Sequence, residues 1–235
     1  MRVDAPFAAK SLPLASFAGA DLRGADFRGA DLSGADFRRA ALAGANFERA
    51  DLSGAQLQET DLRGALLSES RLYRARLAGA MLDEAVFVRA FMHHTDLTGA
   101  LLRSARLPWA RLLHASLAGA CLAGADLTGA SLRFADCTGA DLSFATLEFL
   151  DAPRANFSGA TLRGALLLDA NCDGSRFDGA DLHELSLGHA VLTGCADLDR
   201  ARGLETVRHL APSPVDATTI ERLRGATNFL RGLAP

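Results

Sequence analysis

The feature that most constrains this chain is a period of five. From Leu12 to Leu192 every fifth residue is Leu or Phe, with four exceptions at Met92, Cys137, Ala152 and Cys172. Two residues earlier stands Ala, as at Ala15, Ala20, Ala25, Ala30 and Ala35. Thr60, Ser70, Thr95 and Ser175 are small substitutes there, while Leu150 and Leu185 are larger ones. Between the two lies Asp or Asn in many units, as at Asp21, Asp26, Asp31, Asp36, Asn46 and Asp51. The unit reads A-(D/N)-(L/F)-x-G or a close variant.

This period is neither that of a helix nor that of a strand. A helix would turn about five and a half times over four units and scatter the Leu/Phe positions around every face. Gly in every second or third unit would cost a helix a further ~1 kcal/mol each. One short strand-like side and one tight turn per unit fits instead, and four such sides close one coil. The Leu/Phe position and the Ala two residues before it point inward, and the other three positions point outward. An inward charge would be costly without a partner, and from Leu12 onward no inward position is charged. One coil buries too little alone, so coils must stack into a continuous core. With strands about 4.8 Å apart, roughly nine coils make a rod about 43 Å long.

Composition agrees. Apolar residues make up 49% of the chain but aromatic residues only 6%, which suits a narrow interior of Ala and Leu. The 25 basic and 28 acidic residues nearly cancel, so no global field selects nucleic acid or an acidic substrate. The N-terminal MRVDAPFAAKSLPL lacks the apolar core of a signal peptide. No apolar run is long enough to cross a membrane. The four Cys, at 121, 137, 172 and 195, form no CxxC pair and match no disulfide scaffold or zinc site. A cytoplasmic protein is expected.

With more than thirty units in register, residues 10 to 195 resemble the pentapeptide repeat family, whose consensus is A(D/N)LXX. The resemblance implies an all-β fold, a right-handed quadrilateral parallel β-helix. On this reading residues 1–10 form an N-terminal cap and 11–195 the solenoid. Residues 196–235 form a helical cap or a dimerisation tail. The register slips near Cys195 and the repeat dissolves after Leu198. Ser213-Pro214-Val215-Asp216 predicts a helix start. Ile220, Leu223, Phe229 and Leu230 supply an apolar stripe for capping or dimerisation, with Gly225 as a stop or kink.

No phosphate loop, zinc motif or nucleophile elbow is present, so no enzyme, cofactor or metal is expected. Cys137, Cys172 and Cys195 fall on inward positions and read as small hydrophobes. The outside is readable as columns, since positions four units apart stack. On one side Arg71, Tyr73 and Arg74 are followed by Phe91, His93 and His94, then by Arg111 and His114, then by Arg133, Phe134 and Arg154. This side gathers the only Tyr and half of the six His. Its continuation toward the N-terminus, Asp31-Ser33-Gly34 and Asp51-Ser53-Gly54, is ordinary consensus. Aromatic and Arg side chains together are typical of interaction hot spots. One side round, Leu66, Val86, Val88, Arg89, Pro108, Trp109 and Phe149 share outward columns, and an exposed apolar patch marks a contact.

The resemblance implies a binding protein. The best understood family members resemble a DNA duplex and protect DNA gyrase or topoisomerase IV from poisons. That is the first function expected, with a protein partner and no direct nucleic-acid binding. The alternatives are a protein–protein scaffold or regulator using the basic-aromatic side, and sequestration of a flat anionic small molecule there.

Overall fold

The computed structural model describes residues 7–195, 197–223 and 227–234. Residues 1–6 of the expected N-terminal cap and the expected stop at Gly225 lie outside them. The chain winds as a parallel solenoid. Backbone bridges link each outward residue before a Leu/Phe position to its counterpart four units later, from Ser11–Asp31 and Asp31–Asp51 through to Asn171–Val191. The Leu/Phe and Ala positions are buried almost without exception from Leu22 to Cys195 and form one continuous cluster.

The consensus follows from where the amides go. In the unit around Leu32, the Asp31 amide donates to Lys10 in the coil below, and the Leu32 and Gly34 amides donate to Asp51 and Ser53 in the coil above, at 2.7 to 2.9 Å. The Ala35 amide closes the turn onto Leu32 O at 3.0 Å. That leaves the amide after the Leu/Phe position. The Asp or Asn two residues earlier takes it, as in Ser33 N to Asp31 Oδ1 at 3.1 Å and Ser53 N to Asp51 Oδ1 at 2.9 Å. Asp and Asn recur because this short side chain closes the last open backbone donor. Gly recurs because the turn's next residue is left-handed, as at Gly34 with φ +66°.

Small polar substitutes inside the coil are satisfied by backbone carbonyls. Thr60 Oγ1 donates to Leu57 O at 2.5 Å, Thr95 Oγ1 to Leu72 O at 2.8 Å and Ser175 Oγ to Ala152 O at 2.6 Å. Burial pushes the Cys137 and Cys195 thiols up to about 12 and the Cys172 thiol higher still. All three are buried.

The winding continues beyond the recognisable repeat. The stacking offset lengthens by one position at Asp181–Arg202, and by two where strand β2 (Ser186–Gly188) pairs with β3 (Arg208–His209). Strand β1 (Leu166–Leu168) lies on the other side of β2. Inserted residues, not loss of the fold, obscure the pattern here. The helix does not begin at Ser213. Ser213–Pro214 is a strand, β4, pairing with β5 (Leu233–Ala234), and the Leu192 amide donates to Pro214 O. Helix α1 (Ala217–Arg222) starts beyond it, with Asp216 accepting from Thr219 N at 2.9 Å. Asp216 also accepts from the Gly194 amide. These bonds, Gly194 first, lower its carboxyl to about 2. The side chain that caps the helix thus also ties it to the last regular turn. A second short helix, α2 (Thr227–Leu230), follows. Leu223 and Phe229 are buried, and Ile220 and Leu230 pack half-buried against the core.

Candidate binding side

Stacking places the irregular residues in two parallel structures on one side of the rod. The first is a ladder along a corner. His94 and His114 stack with ring centroids 5.1 Å apart and planes 15° from parallel. His114 stacks on Phe134 at 5.0 Å and 18°. Tyr73 meets His94 edge-on at 5.8 Å, and the Arg74 guanidinium lies 5.1 Å from the Tyr73 ring centre. At the other end the Arg154 guanidinium covers Phe134 at 5.7 Å. Arg74, His94, His114, Phe134 and Arg154 all occupy the left-handed turn position, with φ between +55° and +58°. Gly34, Gly54 and Gly174 hold it in other coils of the same column. A side chain there costs about 1–2 kcal/mol of backbone strain.

The second structure is a groove beside the ladder. Its floor is the column Asp31, Asp51, Arg71, Phe91, Arg111 and Ser131, its wall is Arg49, Glu69, Arg89 and Trp109, and its volume is about 1270 Å³. Arg111 lies over Phe91 at 5.0 Å. Trp109 is also left-handed, φ +60°, and its ring occupies the space a side chain at Gly129 in the next coil would take. Arg49 pairs with Glu69 at 2.9 Å, and Arg71 approaches Asp51 at 3.9 Å. Among the described residues neither Arg89 nor Arg111 has a carboxylate within ion-pair distance.

On the floor Arg71, Phe91 and Arg111 stand where the consensus has Asp. None of them carries an acceptor, so the amides of Tyr73, His93 and Leu113 lose the closure that Asp31 gives Ser33. His93 sits between ladder and groove, and its Nδ1 is buried without a hydrogen-bond partner. Burial, then Arg111 and His94, push its pKa down. Arg133 leaves the ladder and pairs with Asp151 at 3.2 Å. The described residues hold no group of three His, Cys, Asp or Glu able to share a metal ion.

The four-unit bridge register identifies the architecture, and a sequence model described as pentapeptide repeats matches the chain in eight copies, over residues 11–39, 30–69, 70–107, 110–148 and 155–194. The chain belongs to the pentapeptide repeat family. Among solved structures it is similar to HetL, a pentapeptide repeat protein involved in heterocyst differentiation regulation in the cyanobacterium Nostoc. The two share 32% identity over 86% of this chain and 90% of HetL, with a TM-score of 0.56. It is also similar in fold to QnrB1, a plasmid-mediated fluoroquinolone resistance protein, at 17% identity over 92% of this chain and 96% of that one, with a TM-score of 0.51. No curated protein matches the sequence significantly. The family and both neighbours make the solenoid a right-handed β-helix.

The side chains expected on the basic-aromatic side of this repeat protein are divided between ladder and groove. Trp109, assigned from sequence to the neighbouring side, belongs to the same groove, because the corner between the two sides is where the groove runs. Arg49 and Glu69 were missed as its wall. The signal was available: both stand in the column that holds Arg89 and Trp109, at successive steps of four units. Leu223 and Phe229 of the tail are directed into the chain, Phe229 lying 5.1 Å from the His209 ring. No helix among the described residues is long and apolar enough to cross a membrane.

Proposed function

We propose that this pentapeptide repeat protein is a non-catalytic binding protein, acting as a scaffold or regulator, that engages a protein partner through the ladder and groove of its basic-aromatic side. The observation that carries this is the ladder of Arg74, His94, His114, Phe134 and Arg154. Five consecutive coils place a side chain in a turn position that favours glycine, and these five include three aromatic or imidazole rings between two guanidiniums. Left-handed non-Gly residues also occur elsewhere, as at Arg39, Glu59 and Ser104, and what sets these five apart is the unbroken run of stacked rings closed by a guanidinium at each end. Arg and aromatic side chains are also the types that anchor interfaces. We read residues 196–235 as a cap over the last coils. Burial of Leu223 and Phe229 within the chain supports capping over dimerisation.

The test is cross-linking in cells followed by capture of the tagged protein. The captured partner should be lost with Arg74→Ala, His94→Ala and Phe134→Ala combined, and kept with Arg63→Ala, Arg103→Ala and Arg163→Ala on another side. Equal capture by both would sink the reading.

Protection of gyrase or topoisomerase IV, the first function the family resemblance implies, is the second reading. It is supported by the rod and by the fold shared with a fluoroquinolone resistance protein. Charge weighs against it. Imitating a duplex calls for a strongly acidic surface, and here four Asp side chains of the first coils are each matched by the Arg two residues on. Arg23, Arg28, Arg38 and Arg63 pair with Asp21, Asp26, Asp36 and Asp61 at 2.7 to 2.8 Å. Supercoiling assays with and without a gyrase poison decide it: rescue at micromolar protein would restore this reading to first place.

A further inference from the structure

The groove is electrically divided along its length. Its N-terminal end carries Asp31, its middle two coils hold the opposed charges Arg49 and Asp51, then Glu69 and Arg71, and its C-terminal end carries Arg89 and Arg111 beside Phe91 and Trp109. At about 4.8 Å per coil, the floor from Asp31 to Ser131 is about 24 Å long, and the span from Arg71 to Arg111 is about 10 Å. An extended chain rises about 3.3 Å per residue, so the whole floor matches about seven residues and the basic part about three. A longer polyanion such as a nucleic-acid strand would carry its charge past the three guanidiniums onto Asp51 and Asp31 at one end and Asp151 at the other.

We propose that this groove binds an extended, charge-segregated peptide segment of a protein partner, with its acidic residues over Arg89 and Arg111 and its basic residues toward Asp31 and Asp51. The proposal rests on the partner-binding reading of the same side and adds the class of ligand and its direction along the rod. Two features favour it. Arg89 and Arg111 lack an internal carboxylate, so a ligand carboxylate meets a free guanidinium. Arg111 is also held against the Phe91 ring, which lowers the ordering cost of using it. Charge segregation then selects one orientation, because reversal sets like charges against each other at both ends.

The test uses fluorescence polarisation with the full chain and three labelled probes at about 0.1 M salt. The first is the heptapeptide Glu-Glu-Glu-Gly-Lys-Lys-Lys, the second has the same composition with alternating charges, and the third is a seven-nucleotide thymidine oligomer. The segregated peptide should bind at least about ten-fold tighter than the alternating one, a difference of about 1.4 kcal/mol. Arg89→Glu with Arg111→Glu should remove that preference while leaving the melting curve in place. Equal affinity for the two peptides would overturn the proposal, as would tighter binding of the oligonucleotide or no saturation by millimolar peptide. Its failure is separable from failure of the broader reading. If the peptides do not discriminate while the ladder variant still loses its cross-linked partner, only the groove assignment falls. If the ladder variant keeps its partner, the partner-binding reading falls as well.

Discussion

Between residues 17 and 64 the outward positions of the solenoid do local work, and on the ladder-and-groove side between residues 71 and 154 most of them do not. In the first coils Asp closes the turn amide behind it and holds the Arg two residues on, as in Asp36 with Arg38. The left-handed position is mostly Gly, and the interior is braced by rings. Phe17 stacks on Phe37 at 4.8 Å and Phe27 on Phe47 at 4.8 Å, with Phe27 and Phe37 edge-on at 5.7 Å. In the middle coils the inward positions at 92, 112 and 132 are Met, Leu and Leu. On the outside of that side the Asp closure is gone at 71, 91 and 111, and the turn is held left-handed without Gly. Both regions keep the same inward pattern and the same four-unit register. The difference teaches that winding is specified inside, leaving the outside free to give up stability where another demand is met.

The largest effects should come from the interior. Phe37→Ala removes a buried ring that touches rings below and beside it, and should cost about 3–5 kcal/mol. Leu112→Ala in the middle should cost about 2–5 kcal/mol. Denaturant titration measures both. A larger loss at Leu112 than at Phe37 would break the claim that the first coils are the better braced.

How much of this was legible in the sequence depends on what each residue answers to. The coil, its inward positions and the columns were readable because each inward Leu, Phe or Ala is fixed by burial in its own unit. The basic-aromatic side was readable for the same reason, since a square coil brings every fourth unit back to one side. The groove was not fully readable. Trp109 and Arg111 belong to different units, and only the bend of the corner brings their columns to one cleft. Past Leu192 the reading failed for another reason. One and then two added positions shift the offset at Arg202 and Arg208, so a fixed period misses a winding that the backbone continues. The tail's start was misplaced because Ser213-Pro214 carries a helix-start signal that pairing with Leu233–Ala234 overrides.

The next effects concern the turns. Gly64 and Gly129 share φ near +63°, but a Cβ at Gly64 meets open space while one at Gly129 would collide with the Trp109 ring. Gly64→Ala should therefore cost about 1 kcal/mol from backbone strain alone. Gly129→Ala should cost about 2–3 kcal/mol because the ring must also move. Adding Trp109→Ala should return the second value to the first, and thermal melts of the four proteins form the cycle. No recovery would mean that Trp109 is not seated as described. In the ladder, His114→Gly and Phe134→Gly release strain and lose stacking in similar amounts, so stability should stay within about 1 kcal/mol of the parent or rise. Cross-linked partner capture should fall. A clear loss of stability would make the ladder a structural device and remove the main support for its binding role.

The smallest effect is a difference in where acid acts. Hydrogen bonds from Arg23, Arg28, Arg38 and Arg63 hold Asp21, Asp26, Asp36 and Asp61 below the usual carboxylate range, Asp21 at about 2. Groups lowered in the folded state stabilise it above their unfolded value, about 3.9, and that contribution is lost as pH falls from there toward about 2. His93 is also lowered, chiefly by burial, so its neutral form is the one the fold accommodates. Its contribution is present above the unfolded value of about 6.5 and declines as pH falls below it. Mild acid should therefore loosen the middle coils first and leave the first coils untouched. Hydrogen exchange resolved by peptide, corrected for intrinsic rates, should show protection falling around residues 91–115 between pH 7 and 5 and around residues 21–64 only below pH 4. His93→Gln should abolish the first transition and not the second. Simultaneous loss in both regions at one pH would mean that the rod opens as a single cooperative unit, and that the contrast between its two regions is confined to the surface.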